Sequence, residues 1–142
     1  MKQILILFML FSVCLYGQDQ NEIKTIQNKM IEQEESWNKG EIKEFMNHYW
    51  KSDSLSFTGK NGIQNGWKTT LDNYLKSYPN KNKMGKLKFS NLSIKKIDTN
   101  TITVLGKWKL FRNEDLGNLE GYYSLIWQKK NNEWVIIADH SS

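Results

Sequence analysis

Two histidines, His48 and His140, and a handful of carboxylates carry whatever acid–base chemistry this 142-residue chain can perform. His140 stands directly after Asp139 in the run Trp134-Val135-Ile136-Ile137-Ala138-Asp139-His140-Ser141-Ser142, whose branched and aromatic residues are of strand type. Proton transfer in an apolar site needs a carboxylate or imidazole of shifted pKa, and a neutral donor such as a tyrosine hydroxyl to hold the developing oxyanion. His140, Asp139 and Asp53 are the candidate acids or bases, and Tyr49, Tyr74, Tyr122 and Tyr123 the candidate donors. Neighbours on a pleated strand point to opposite faces, so Asp139 and His140 are not expected to act as a dyad. Strict alternation puts Trp134, Ile136 and Ala138 on the face of His140, and the expectation is that His140 faces a pocket mouth. The competing expectation is that Asp139, His140 and the two serines only lock the rim of a sheet through hydrogen bonds. His48 falls one position off the apolar face of its helix and reads as a surface residue.

Other chemistries lack their residues. Cys14 is the sole cysteine, there is no HExxH pattern, and neither a phosphate-cradling glycine loop nor a GxSxG elbow occurs, so no metal and no cofactor is expected. Trp37, Tyr49, Phe57, Trp67, Trp108, Tyr123 and His140 are the candidate ligand-binding residues, an aromatic set suited to a small apolar molecule. The same spacings also suit a plain core.

The N-terminal residues read as a targeting segment. Lys2 precedes an apolar run from Ile4 to Leu15 broken only by Ser12, and Leu15-Tyr16-Gly17 ends on a small residue, the pattern of a secretory signal peptide over residues 1–17. A dozen apolar residues fall short of the roughly 20 that span a bilayer, so stable membrane insertion is not expected. Val13 stands where a lipoprotein site would need a small residue before Cys14, which makes lipid anchoring the lesser reading. The mature domain is then 18–142, exported to the periplasm or the exterior, and free of cysteine. Its formal net charge falls from +5 to +4 with the loss of Lys2. Lys81, Lys83, Lys86, Lys88, Lys95 and Lys96 are read as a solvated surface, and no nucleic-acid partner is expected.

The elements that must position these residues follow from periodicity. Ile23, Ile26, Met30 and Trp37, with Ile31 and Glu34 beside them, predict an amphipathic helix from Asn21 to Asn38, stopped at Lys39-Gly40. Ile42, Phe45, Met46 and Tyr49 predict a second helix from Glu41 to about Trp50. Ser54 to Thr58 reads as a short strand, and Gly59, Gly62 and Gly66 punctuate a hairpin-like loop around Ile63. Trp67, Thr70, Leu71, Tyr74, Leu75 and Tyr78 predict a third helix ended by Pro79, with Asn80 to Gly85 a loop. Strand patterns fill the rest: one from Lys86 to the turn at Asp98, one over Thr101 to Phe111, and a hairpin from Gly121 to Ser142 broken at Lys129 to Asn132. Ile102, Val104, Gly106, Trp108 and Leu110 share one face of the longest strand. Helices segregated to one side of a curved antiparallel sheet make an α+β domain.

Several local motifs, in order and at similar spacing, resemble the nuclear transport factor 2-like superfamily in its SnoaL-like branches. They are Ser36-Trp37-Asn38-Lys39-Gly40-Glu41, Phe45 to Tyr49, Gly66 before the third helix, Gly106-Lys107-Trp108, Gly121-Tyr122-Tyr123-Ser124-Leu125, and Trp134 to Ser142. The resemblance implies a cone-shaped fold of three N-terminal helices on the sheet, a pocket within the cone, and dimerisation through the sheet, for which Leu105 and Phe111 are the outward residues. Relatives of this kind include ketosteroid isomerases, dehydratases, cyclases and non-catalytic binding or assembly domains, so fold does not select among binding, cofactor-free acid–base catalysis and assembly.

Overall fold

The helix that packs across the sheet is ended by a Schellman motif. In the computed structural model, which describes the backbone of residues 2–142 and side chains from Asp19 onward, α1 (Lys2–Lys39) closes at Gly40 with φ of 89°. The Gly40 amide donates to the Trp37 carbonyl and the Glu41 amide to that of Ser36, which satisfies two end carbonyls of the helix. The signal-peptide expectation for residues 1–17 concerns side chains outside those described. No helix among the described residues is long and apolar enough to cross a membrane.

The buried stripe of α1 is Glu22, Ile26, Met30, Gln33 and Trp37, at helical intervals of four, four, three and four. This corrects the expected stripe by one position: Gln33 is buried, Glu34 only half-buried, and Ile31 exposed. Glu34 instead accepts from the Phe89 amide at 2.7 Å, and Asn38, one turn on, accepts from the Leu87 amide at 2.7 Å. These two side chains satisfy backbone groups of the strand beneath them and so set how the helix lies on the sheet.

After α2 (Ile42–Met46) come β1 (Ser56–Gly59), β2 (Gly62–Asn65), α3 (Trp67–Ser77), α4 (Lys81–Met84), β3 (Lys86–Asp98), β4 (Thr101–Phe111), β5 (Leu119–Lys130) and β6 (Glu133–Ser141). The loop expected over Asn80 to Gly85 therefore holds a short helix, capped by the Asn80 side chain on the Lys83 amide. The six strands form one sheet in the order β2-β1-β6-β5-β4-β3. Every pairing is antiparallel except β1 with β6, so the sheet is mixed at that seam.

Two local features shape the inner face. Gly106 pairs with Tyr123, and a Cβ at Gly106 would lie 2.1 Å from the Tyr123 hydroxyl oxygen. The glycine leaves room for the phenol to cross β4 and donate to Asn91 on β3 at 2.5 Å. The second feature is a bulge on β6. Ile126 pairs with Ala138 but Trp127 with Ile136, so Ile137 is the extra residue and alternation reverses beyond it. The hairpin turn itself lies where the sequence puts it, with Asn131 and Asn132 both at positive φ, the geometry a two-residue type I′ loop requires.

Candidate functional site

The reversal on β6 decides which residue faces the interior. Trp134 and Ile136 are buried, and after the bulge Asp139 joins them on the inner face while His140 is exposed. The expectation of an inward His140 is thereby corrected; unbroken alternation would have produced it, and one inserted residue cancels it.

Asp139 is 4% exposed. Its Oδ2 accepts from the Tyr49 hydroxyl and its Oδ1 from the Ser141 hydroxyl, each at 2.7 Å. Tyr49 arrives from the segment after α2, where the Trp50 amide donates to the Ile136 carbonyl and the Ile136 amide to that of His48. That clamp fixes Tyr49 against β6. Burial pushes the Asp139 carboxyl up to about 6, against the pull of the Tyr49 and Ser141 hydrogen bonds and the His140 charge. Burial, the Asp139 charge and the neighbouring Tyr74 hydroxyl raise Tyr49 well above its usual range, so it stays a donor at neutral pH. Tyr74, from α3, is raised in the same way by burial and by Asp139.

In front of this cluster lies a cavity of about 550 Å³ between the helices and the sheet. Its walls are largely aromatic. Trp37 meets Phe45, Tyr74 and Tyr78 edge-on at centroid distances of 5.3, 5.9 and 4.9 Å, and Phe57 meets Tyr74 at 5.7 Å. Trp108 and Tyr123 form the sheet side, and the Trp108 indole N–H is buried without a hydrogen-bond partner.

Of the residues singled out in the sequence, Trp37, Tyr49, Phe57, Tyr74, Trp108, Tyr123 and Asp139 line this cavity. Trp67 does not: its indole N–H donates to the Met46 carbonyl at 2.8 Å, and Lys51 lies 5.4 Å from the ring centroid, so it serves as a peg between α2 and α3. Asp53 and Tyr122 are exposed and stand apart from the cavity. Phe45, read in the sequence only as a core residue, also lines it. So does Arg112, which no periodicity marks because it follows the end of β4. Among the described residues no group of three or more His, Cys, Asp or Glu comes together as a metal site would need.

A solved structure similar to this one is an NTF-2 like protein of unknown function from Shewanella oneidensis. It is 36% identical, with a TM-score of 0.78 over 82% of this chain and 95% of that one. The chain belongs to the nuclear transport factor 2-like superfamily. Two further members of this fold neighbourhood are more distant in sequence. A nuclear transport factor 2-like superfamily protein from Salmonella enterica is 18% identical, with a TM-score of 0.67 over 87% of this chain and 91% of that one. A domain of unknown function with a cystatin-like fold from Nostoc punctiforme is 13% identical, with a TM-score of 0.72 over 88% and 76%. No family model and no curated protein matches the chain. Membership in the nuclear transport factor 2-like superfamily accounts for the helices packed on the sheet, and leaves the ligand to be argued from the cavity itself.

Proposed function

We propose that this protein binds a small, largely apolar molecule in the cavity, with a hydroxyl or carbonyl of that molecule meeting the Asp139–Tyr49–Tyr74 cluster. The observation that carries the reading is the combination of open volume and one buried carboxylate. A cavity of about 550 Å³ falls in the range of small-molecule pockets, roughly 300–1,000 Å³. A protein that needed only a core would fill that space, because unfilled volume forfeits packing. It would also gain nothing from burying Asp139, whose raised pKa measures what that burial costs. A ligand hydroxyl can donate to Asp139 and accept from Tyr74, while ring faces of Trp37, Phe45 and Phe57 take its apolar body.

The test is titration with 2-naphthol, a flat apolar molecule bearing one hydroxyl, followed by calorimetry and by quenching of the cavity tryptophans. Saturable one-to-one binding, weakened by Asp139→Asn and by Tyr74→Phe, is the expected result. Absence of saturable binding of both 2-naphthol and its carboxylate counterpart 2-naphthoate to the folded protein sinks the reading.

A second reading draws on the same carboxyl. With its pKa raised to about 6, Asp139 is matched to general-base work near neutral pH, and Tyr49 and Tyr74 are neutral donors for an enolate oxygen. The protein would then be a cofactor-free isomerase, lyase or cyclase. Exchange of the α-hydrogens of 2-tetralone in deuterated buffer, lost in Asp139→Asn, supports this; exchange at the buffer rate rejects it.

The proposal extends to where and in what state the protein works. The Lys2 and Ile4-to-Gly17 pattern supports export with cleavage after Gly17. The outer sheet face, with Leu105 48% and Tyr122 59% exposed, supports a homodimer formed through it.

A further inference from the structure

The cavity has a second polar end, remote from Asp139. On β5, Leu125 pairs with Asp139 and Leu119 pairs with Leu110 at the other end of β4. Six residues of strand separate the two levels, about 20 Å of extended chain at ~3.3 Å per residue. Arg112 lies just past Leu110, and it lines the same cavity together with Tyr78 and Lys83.

Arg112 is held in place by its own loop. Its Nε donates to the Gly117 carbonyl at 2.7 Å and one Nη to the Leu116 carbonyl at 2.9 Å. The guanidinium is therefore fixed by two neutral acceptors. Among the described residues no carboxylate lies within ion-pair distance of Arg112 or Lys83. Of the acidic residues at that end, Glu120 lines the cavity but lies 3.3 Å from Lys107 and 3.0 Å from Lys109, and Glu114 and Asp115 of the 113–118 loop are exposed and form no ion pair with Arg112. Among the described residues the Trp108 indole N–H, in the wall of the same cavity, is buried and has no hydrogen-bond partner, as is that of the core residue Trp127. A fixed guanidinium, a free ammonium and a neutral phenol lining one end of an aromatic cavity form a receptor for a negatively charged group.

We infer that the ligand is an amphipathic carboxylate, its anionic head held by Arg112, with Lys83 and Tyr78 beside it, and its apolar body extending along the aromatic walls toward Asp139. The inference rests on the cavity-binding reading and adds the ligand's charge and its orientation. A planar fork with one edge engaged by loop carbonyls still presents its other edge to a carboxylate. The aliphatic or ring portion then lies along the aromatic walls, and Asp139 and Tyr49 meet the polar group at the far end of the ligand. A head that is neutral would forgo the Arg112 interaction, and a doubly charged polar molecule would have no apolar body to bury.

The test compares matched pairs at pH 8: decanoate with decan-1-ol for a flexible chain, and 2-naphthoate with 2-naphthol for a flat ring. Affinities are read by calorimetry on the full folded chain. The carboxylate of at least one pair should bind about tenfold more tightly than its alcohol, the order of a charge-assisted hydrogen bond. Which pair shows the preference identifies the source of the head as a fatty or an aromatic acid. Arg112→Gln should bring the ratio toward one, with the larger loss falling on the acid. Because Arg112 also holds the 113–118 loop, Lys83→Gln is the second variant and should lower the ratio by a smaller factor. Equal binding of acid and alcohol, or a ratio untouched by both substitutions, overturns the anion inference while leaving cavity binding intact. Failure of all four probes to bind overturns both.

Discussion

Replacing Asp139 by asparagine should stabilise the folded protein at pH 8 and leave it unchanged at pH 3. The carboxyl moves from 3.8 in the unfolded chain to about 6 in the fold, because burial outweighs the two hydroxyl donors. Between those values the native state binds the extra proton, so stability falls as pH rises through the window and stays low above it. A shift of about two units at 1.36 kcal/mol each makes the penalty about 3 kcal/mol above pH 7. Asparagine keeps an acceptor for Tyr49, removes the charge, and has no titration of its own. Thermal melts of both proteins from pH 3 to pH 8 should therefore coincide at the acid end and diverge by on the order of 10 °C at the alkaline end, with the variant the more stable. A variant less stable at pH 8, or a difference independent of pH, refutes the reasoning and means that Asp139 is ionised comfortably in place.

Tyr49→Phe removes one donor from the carboxylate and should raise the Asp139 titration by about one unit above its position near 6, read from the carboxyl carbon in an NMR titration. Gly106→Ala forces a methyl against the Tyr123 hydroxyl and should cost about 2 kcal/mol or more in a denaturant melt, with loss of the Asn91 bond. Leu105→Lys on the outer sheet face should convert a dimer into a monomer by light scattering without lowering the melting temperature of the isolated domain. A wild-type protein already monomeric at high concentration counts against the dimer.

Much of the fold was legible because periodicity is a direct image of burial. The alternation of Ile102, Val104, Gly106, Trp108 and Leu110 places these residues on the inner face of β4, and the Asn131-Asn132 turn falls between the two apolar arms that flank it. The candidate site was legible in its parts and not in its arrangement. Tyr49, Tyr74 and Asp139 are visible as residue types, but which of Asp139 and His140 looks inward turns on a single extra residue at Ile137, and a bulge leaves no mark on an all-apolar run. The same limit applies to α1, where Gln33 rather than Glu34 is buried: the two differ by one helical step, and the choice belongs to the β3 amide that Glu34 caps. Trp67 has the composition of a cavity wall and the position of a peg, a distinction fixed by the Met46 carbonyl it meets. Arg112 lies in a connection, where no period exists to point it anywhere.

The most direct measurement is a crystal structure of the protein grown with 2-naphthol. The ring should lie between Tyr74 and the sheet, with its hydroxyl within hydrogen-bonding distance of Asp139 or Tyr74. A ring bound only outside the cavity, or a cavity closed by movement of the aromatic walls, would contradict binding in the cavity.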